Sequence, residues 1–312
     1  MGRAVRTIGA IAASGALGLG YSLLEARSYR LRRVEVDVLP AGRPPVRILH
    51  LSDLHLTPST TDRIRWVRRL ATLRPDAVVA TGDFLSHQDA VPLVLDALDP
   101  LFDVPGAFVL GSNDYFAPGA VRPWRYLTGP SGLATTRAEL PWKDLVTGLT
   151  GAGWLDLSNA RGRLTVAGQD VDVRGVDDPH IRRDRYADVA GSFDAGADLA
   201  LGVTHAPYRR VLDAMADDGA GLVLAGHTHG GQICVPGYGA LLTNCDLPPA
   251  QAKGLSRHAR PYQPGGDPAL GGVDGRGAFL HVSAGLGTSP YAPVRFACPP
   301  EATLMTLRPR QT

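Results

Sequence analysis

Paired cysteines are missing from this chain. Its three thiols, Cys234, Cys245 and Cys298, are odd in number and lack the close spacing of a metal knuckle. That argues against a disulfide framework and against a thiolate zinc site, and leaves buried or unpaired thiols as the expectation. A dominant charge is missing as well. The 32 basic and 30 acidic residues give a formal net charge of +2, far from the polycation that grips phosphate backbones, so no nucleic-acid partner is expected. No internal repeat or low-complexity tract is present, which argues against a solenoid or a disordered tail. With 312 residues, 44% hydrophobic and 20% charged, the chain can bury the core of one large domain or of two modest ones.

An uncharged apolar run occurs at the N-terminus. From Ile8 to Leu24 it carries no charge; Arg3 and Arg6 precede it, and Arg27, Arg30, Arg32 and Arg33 follow. The run is near the short end of the roughly 17 to 25 residues that span a bilayer core. No A-x-A cleavage site closes it and no twin arginine opens it. Residues 1–33 are therefore expected to form a membrane anchor that places the protein at the cell membrane, with a cleaved export signal as the alternative. Residues 34–312 form the main domain.

Beyond residue 33, short apolar runs alternate with amphipathic stretches. The run Val46–Leu56 reads as a buried strand ending in a polar turn. Next comes a helix with Ser59, Thr60, Thr61 and Asp62 at its start, apolar Ile64, Val67, Leu70 and Leu73 along one face, and Pro75 as a stop. Residues 76–84 give a second strand, 90–101 a second helix and 106–114 a third strand. Residues 163–178 suggest a hairpin, and further strands are expected in 199–207, 221–230, 278–287 and 302–309. This order predicts an α/β fold: a four-layer α-β-β-α sandwich of two mixed sheets flanked by helices. Two aperiodic stretches rich in Pro, Gly and Arg, 115–139 and 245–276, are expected to be lid loops.

Polar residues gather at the C-terminal ends of the apolar runs: Asp53 and His55, then Asp83, then Asn113 and Asp114, then His205, then His227 and His229. Ligand sites of α/β sheets lie outside the carboxyl ends of their strands, so these groups can converge. Carboxylates, imidazoles and an amide without sulfur form a mixed oxygen and nitrogen donor set suited to first-row divalent metals. Asp114 aside, seven such side chains exceed the needs of one open ion and suffice for two if a carboxylate bridges.

In this order the motifs Ser-Asp-Leu-His, Thr-Gly-Asp, Gly-Ser-Asn-Asp, Thr-His-Ala-Pro and Gly-His-Thr-His-Gly-Gly resemble the calcineurin-like metallophosphoesterase superfamily over about Val46 to Leu307. The Gly-Val-Asp-Asp near Asp177 and the tail from Arg295 further resemble its bacterial membrane-associated or exported branch. The resemblance implies that Asp53, His55 and His229 hold a first divalent ion (Mn, Fe or Zn). His205 and His227 would hold a second, and Asp83 would bridge the two. It further implies hydrolysis of a phosphodiester or phosphomonoester by attack of a metal-bridging hydroxide, and the expected anchor would favour a lipid-linked substrate. A binding scaffold with weakened catalysis is the alternative. One motif departs from the family's Gly-Asn-His-Asp. Without a gap, Ser112 stands at the ligand Asn and Asn113 at the His; shifted by one, Asn113 is the ligand and Asp114 replaces the His. Asn113 is preferred as the ligand, because an amide oxygen is a far better neutral donor than a hydroxyl. Either way the usual proton-donating His is absent, and Asp114 or His87 is a candidate substitute.

Overall fold

Alternation of apolar side chains with period two decides which face of each strand meets which layer. The computed structural model describes residues 2–119, 137–259 and 277–310, with the backbone alone for residues 2–13. In order, the helices are α1 (Gly2–Glu25), α2 (Thr61–Arg69), α3 (Val91–Leu98), α4 (Ser112–Tyr115), α5 (Trp142–Gly151) and α6 (Arg209–Asp217). The first strands are β1 (Arg30–Leu39), β2 (Val46–Leu51), β3 (Ala77–Ala80), β4 (Gly106–Phe108), β5 (Leu155–Asp156), β6 (Ala160–Val166) and β7 (Gln169–Gly175). They are followed by β8 (Leu199–Val203), β9 (Leu222–Ala225), β10 (Cys234–Val235), β11 (Gly239–Ala240), β12 (Gly254–Ala259), β13 (Gly277–Val282) and β14 (Glu301–Pro309).

Two six-stranded mixed sheets result, ordered β1-β14-β2-β3-β4-β5 and β12-β13-β9-β8-β7-β6. On β2, Val46 and Ile48 face the second sheet, whereas Leu49 and Leu51 face the helices; on β9, Leu222 and Leu224 face the first sheet, whereas Val223 and Ala225 turn to the helix side. Helices α2, α3 and α5 cover the first sheet and α6 the second, giving the α-β-β-α layering expected. Each fully buried Val, Leu or Ile in these layers contributes about 1.5–3 kcal/mol of transfer free energy, so the layers, not local propensity, hold the fold.

Several elements depart from the expectation. Strand β1 pairs in parallel with β14 from Arg30 onward, so residues 30–33 already belong to a sheet, ahead of the boundary expected at 34. Strand β12 runs antiparallel to β13 inside the stretch expected to be a lid; its side chains are paired across a sheet edge and so show no periodicity of their own. The central parts of both expected lids, 120–136 and 260–276, lie outside the described residues. The uncharged N-terminal run forms the body of α1, and no helix among the described residues is long and apolar enough to cross a membrane. The C-terminal end of α1 rests on the domain: the Arg295 amide donates to the Ser22 carbonyl at 3.0 Å, and the Tyr21 and Phe296 rings meet edge to face.

The apolar layer between the sheets holds one polar link. His50 of β2 and His281 of β13 lie on inward faces, with their Nδ1 atoms 2.9 Å apart, and His50 Nε2 lies 3.0 Å from the Thr81 hydroxyl. Burial lowers His281 from 6.5 to about 4, and burial together with His281 takes His50 well below its usual value. The unfolded chain therefore takes up these protons first, and stability falls as the pH drops from about 6.5 toward 4. For His281 alone the shift corresponds to roughly 3 kcal/mol at the acid end. We expect urea midpoints at pH 7 and pH 5 to differ less in a His50→Val/His281→Leu variant than in the parent. An equal pH response in both proteins would remove the pair from acid sensitivity.

Candidate metal centre

The parallel crossovers β2-α2-β3-α3-β4 and the neighbouring strands β7, β8 and β9 bring the strand ends to one edge of the sandwich. Asp53 and His55 follow β2, Asp83 follows β3, Asn113 follows β4, His205 follows β8, and His227 and His229 follow β9. At these ends the backbone turns sharply: Asp53, His55, Asp83, His227 and His229 all have φ between 43° and 69°. Non-glycine residues rarely adopt this left-handed region, and such strain concentrates at functional sites. Gly226 is needed for a different reason. A Cβ there would lie 1.8 Å from Ser52 Oγ and 2.7 Å from Asp53 Oδ2, so a side chain would push the His227 turn off the first strand.

Donor atoms of Asp53, His55, Asp83 and His229 all lie within 4.8 Å of one another. The Nε2 atoms of His55 and His229 are 3.3 Å apart. Asp83 Oδ2 lies 3.5 Å from His55 Nε2 and 3.6 Å from His205 Nε2, and the His205 and His227 rings meet edge to face at 5.1 Å. Asp83 thus stands between one group of donors and another. The outer nitrogens are held by the protein: His229 Nδ1 lies 3.1 Å from the Gly287 carbonyl, His205 Nδ1 2.6 Å from that of Thr81, and His227 Nε2 3.2 Å from that of Asn244. A carbonyl only accepts, so a neutral ring that donates to it keeps the lone pair on the opposite nitrogen, as a metal ligand requires; the Arg295 guanidinium, 3.3 Å from His229 Nδ1, and the Asn244 amide, 3.4 Å from His227 Nε2, compete for the same nitrogens.

Electrostatics agree with that use. Burial lowers His55 to about 4 and takes His227 and His229 well below the ordinary value, so these rings are neutral near pH 7. Burial raises Asp53 to about 6, with the Asp83 carboxylate adding to it. Burial also disfavours ionised Asp83, yet His205 and His55 hold it below the usual carboxylate range. His205 is the opposite case: burial lowers it, but Asp83, Asp178 and Asp53 outweigh that and raise it to about 9. Its Nε2 is buried and has no hydrogen-bond partner among the described residues. An imidazole nitrogen orphaned beside carboxylates fits a divalent ion.

The departing motif has a definite geometry. Asn113 donates to Asp83 twice, from its backbone N–H at 2.8 Å and from its side-chain amide at 2.7 Å. Asp114 faces the other way. Its two oxygens accept the backbone N–H groups of Asp83, Phe84, Leu85 and Gly111 at 2.7–3.0 Å. Asp114 therefore clamps the Asp83 turn, while burial and the Asp83 carboxylate raise it to about 7. His87 is half exposed on the surface, 3.6 Å from Asp89.

Three contributors were not singled out from the sequence. Arg295 is fully buried and its guanidinium donates to the carbonyls of His229, Ala284, Gly285, Gly287 and Cys298. The His180 ring lies 4.4 Å from that of His227, and its Nδ1 is 3.1 Å from the Tyr208 hydroxyl. Asp178, in the Gly-Val-Asp-Asp stretch, is fully buried, and burial raises it to about 7. That stretch and the tail from Arg295 carried a family resemblance, and neither pointed to a role for these side chains.

Residues 46–231 match the family model for calcineurin-like phosphoesterases, more than half of the chain. The chain belongs to this family. Among relatives, the calcineurin-like phosphoesterase described here is 31% identical over 204 residues to the uncharacterized metallophosphoesterase YkoQ of Bacillus subtilis, covering 64% of this chain and 66% of that one. It is 25% identical over 318 residues to the uncharacterized metallophosphoesterase YkuE of the same organism, covering 96% and 92%. It is 28% identical over 233 residues to a transmembrane protein with a metallophosphoesterase domain from Bos taurus, covering 68% of this chain and 47% of that one.

Proposed function

We propose that this calcineurin-like phosphoesterase hydrolyses a phosphodiester or phosphomonoester with two divalent ions, Mn, Fe or Zn. Asp53, His55 and His229 would hold one, His205 and His227 the other, and Asp83 would serve both. The observation that carries this reading is the position of Asp83, 3.5 Å from His55 and 3.6 Å from His205. When bound, such ions supply an activated water and positive charge for the phosphoryl oxygens. The chain's own part is to orient. Ser52 donates to Asp53 at 2.5 Å, Ser86 lies 3.0 Å from His55 Nδ1, and Asn113 fixes both oxygens of Asp83. With Gly-Ser-Asn-Asp in place of the usual motif and Asp114 spent on backbone amides, a proton for a poor leaving group is lacking. General-acid help is worth about 10²- to 10⁴-fold. Activated aryl esters are therefore the preferred substrates.

Location is part of the same proposal. The exposed Leu17, Leu19, Leu23 and Leu24 of α1, with the arginines that follow, support attachment to a membrane surface and a lipid-linked ester as substrate. Export without an anchor is the alternative.

Protein purified without chelator should carry close to two divalent ions per chain by elemental analysis and should hydrolyse bis(p-nitrophenyl) phosphate. Chelation should abolish the activity, and Mn²⁺ should restore it. Metal-free protein that Mn²⁺ does not activate would overturn the reading in favour of a binding scaffold.

A further inference from the structure

Strands β7, β8 and β9 lie side by side in parallel, with Gly175 opposite Val203 and Val203 opposite Leu224. Counting from that aligned row, His205 comes two residues later, and Asp178 and His227 three residues later. The pairing continues past the strand ends, since the Val176 amide donates to the Val203 carbonyl at 3.2 Å and the Gly226 amide to the His205 carbonyl at 2.8 Å. Asp178, His205 and His227 are thus delivered to one place by consecutive strands, as Asp53 and Asp83 are by β2 and β3.

Asp178 has no exposure to solvent. One of its oxygens, Oδ1, accepts the His180 backbone N–H at 2.8 Å, capping the short turn Pro179–Ile181. The other, Oδ2, is buried and has no hydrogen-bond partner among the described residues. The same is true of His205 Nε2, and the charged groups that act most strongly on Asp178 are His205 and Asp83. A carboxylate oxygen deprived of water and of donors is strongly disfavoured unless a proton or a cation meets it. The capping role explains Oδ1 and leaves Oδ2 without a partner. His205 and His227 are the residues assigned to the second ion, and in the Gly-Ser-Asn-Asp motif the Asn113 amide is engaged with Asp83.

On the reading proposed above, we propose that Asp178 is a ligand of the second divalent ion, supplying through Oδ2 a carboxylate where the family motif supplies an amide. The cap then has a purpose: the His180 N–H holds Oδ1 and so fixes the carboxyl plane, leaving Oδ2 free for the ion. A third carboxylate beside Asp53 and Asp83 makes the pair of positions more anionic and favours harder ions, Mn²⁺ over Zn²⁺ at the second position.

The test is Mn²⁺ titration of the full chain after chelation, followed by equilibrium dialysis with elemental analysis and by electron paramagnetic resonance, compared with Asp178→Ser and Asp178→Asn. Serine retains a capping oxygen for the His180 N–H but is too short to reach the ion; asparagine retains length and loses charge. The parent should bind two Mn²⁺ and show a spin-coupled pair. Asp178→Ser should keep one ion and weaken the second by at least about 100-fold, beyond the 10- to 100-fold typical of losing an outer-shell partner. Asp178→Asn should weaken it by an intermediate factor, and it decides the question if the serine variant does not fold. Folded variants that bind two coupled Mn²⁺ as tightly as the parent would overturn the assignment of Asp178 and leave the proposed function standing. A parent that binds no second ion would overturn both.

Discussion

Asp83→Ala is expected to lower turnover of an activated aryl phosphodiester by at least about 10³-fold, at the upper end of what removing one electrostatic group from an active site does. Nearly all bound metal should be lost with it. Asp83 is the one carboxylate within 4 Å of imidazoles from both donor groups among the described residues, and it is where the backbone and side chain of Asn113 converge. Removing it leaves His55 and His205 without their shared partner, and two bound ions would then face each other with nothing between them. Asp83→Asn should recover part of the metal content and little of the rate, because the shape returns and the charge does not. Elemental analysis beside steady-state kinetics reads both quantities. Parent-like turnover in Asp83→Ala would dismiss the shared role.

Arg295→Met is expected to destabilise the metal-free protein by about 3–5 kcal/mol, the range seen when one partner of a buried charged network is removed. The reason lies in what the guanidinium holds. It donates to the carbonyls of Ala284, Gly285 and Gly287 on one segment and of His229 and Cys298 on two others. Methionine fills the volume and donates nothing, so several buried acceptors lose their donor at about 1–3 kcal/mol each. The effect reaches the metal donors. A Cβ on Gly285 would lie 2.6 Å from Asp53 Cβ, and one on Gly287 2.7 Å from His55 Cβ, so the segment that Arg295 fixes presses directly on both residues. For a domain of this size the Tm should fall by on the order of 10 °C. Arg295→Lys should recover only a minor part, since one ammonium cannot replace a planar fork. Guanidinium unfolding of apo protein settles the matter, and a change below about 1 kcal/mol would remove Arg295 as the staple.

The alternation of apolar runs and amphipathic stretches was enough to read the layered sandwich, because burial on a strand has period two and burial on a helix has period 3.6, and both are written locally. Placement of Asp53, His55, Asp83, His205, His227 and His229 at the ends of those runs was likewise written locally, since the edge of a parallel sheet to which strands point follows from their direction. Asn113 and Asp114 were visible as candidates, but their division of labour was not. Only the fold shows Asn113 holding Asp83 while four backbone amides consume Asp114. The same holds for Arg295, which becomes a staple because the turn Ala284–Gly287, Cys298 and the distant His229 all direct carbonyls toward it. Nothing local pairs His50 with His281; the packing of the two sheets brings them together. Asp178 lies in a stretch legible as a hairpin end, and its delivery to the same sheet edge as His205 depends on the register of β7 against β8, a long-range hydrogen-bonding pattern that no local run of residues encodes.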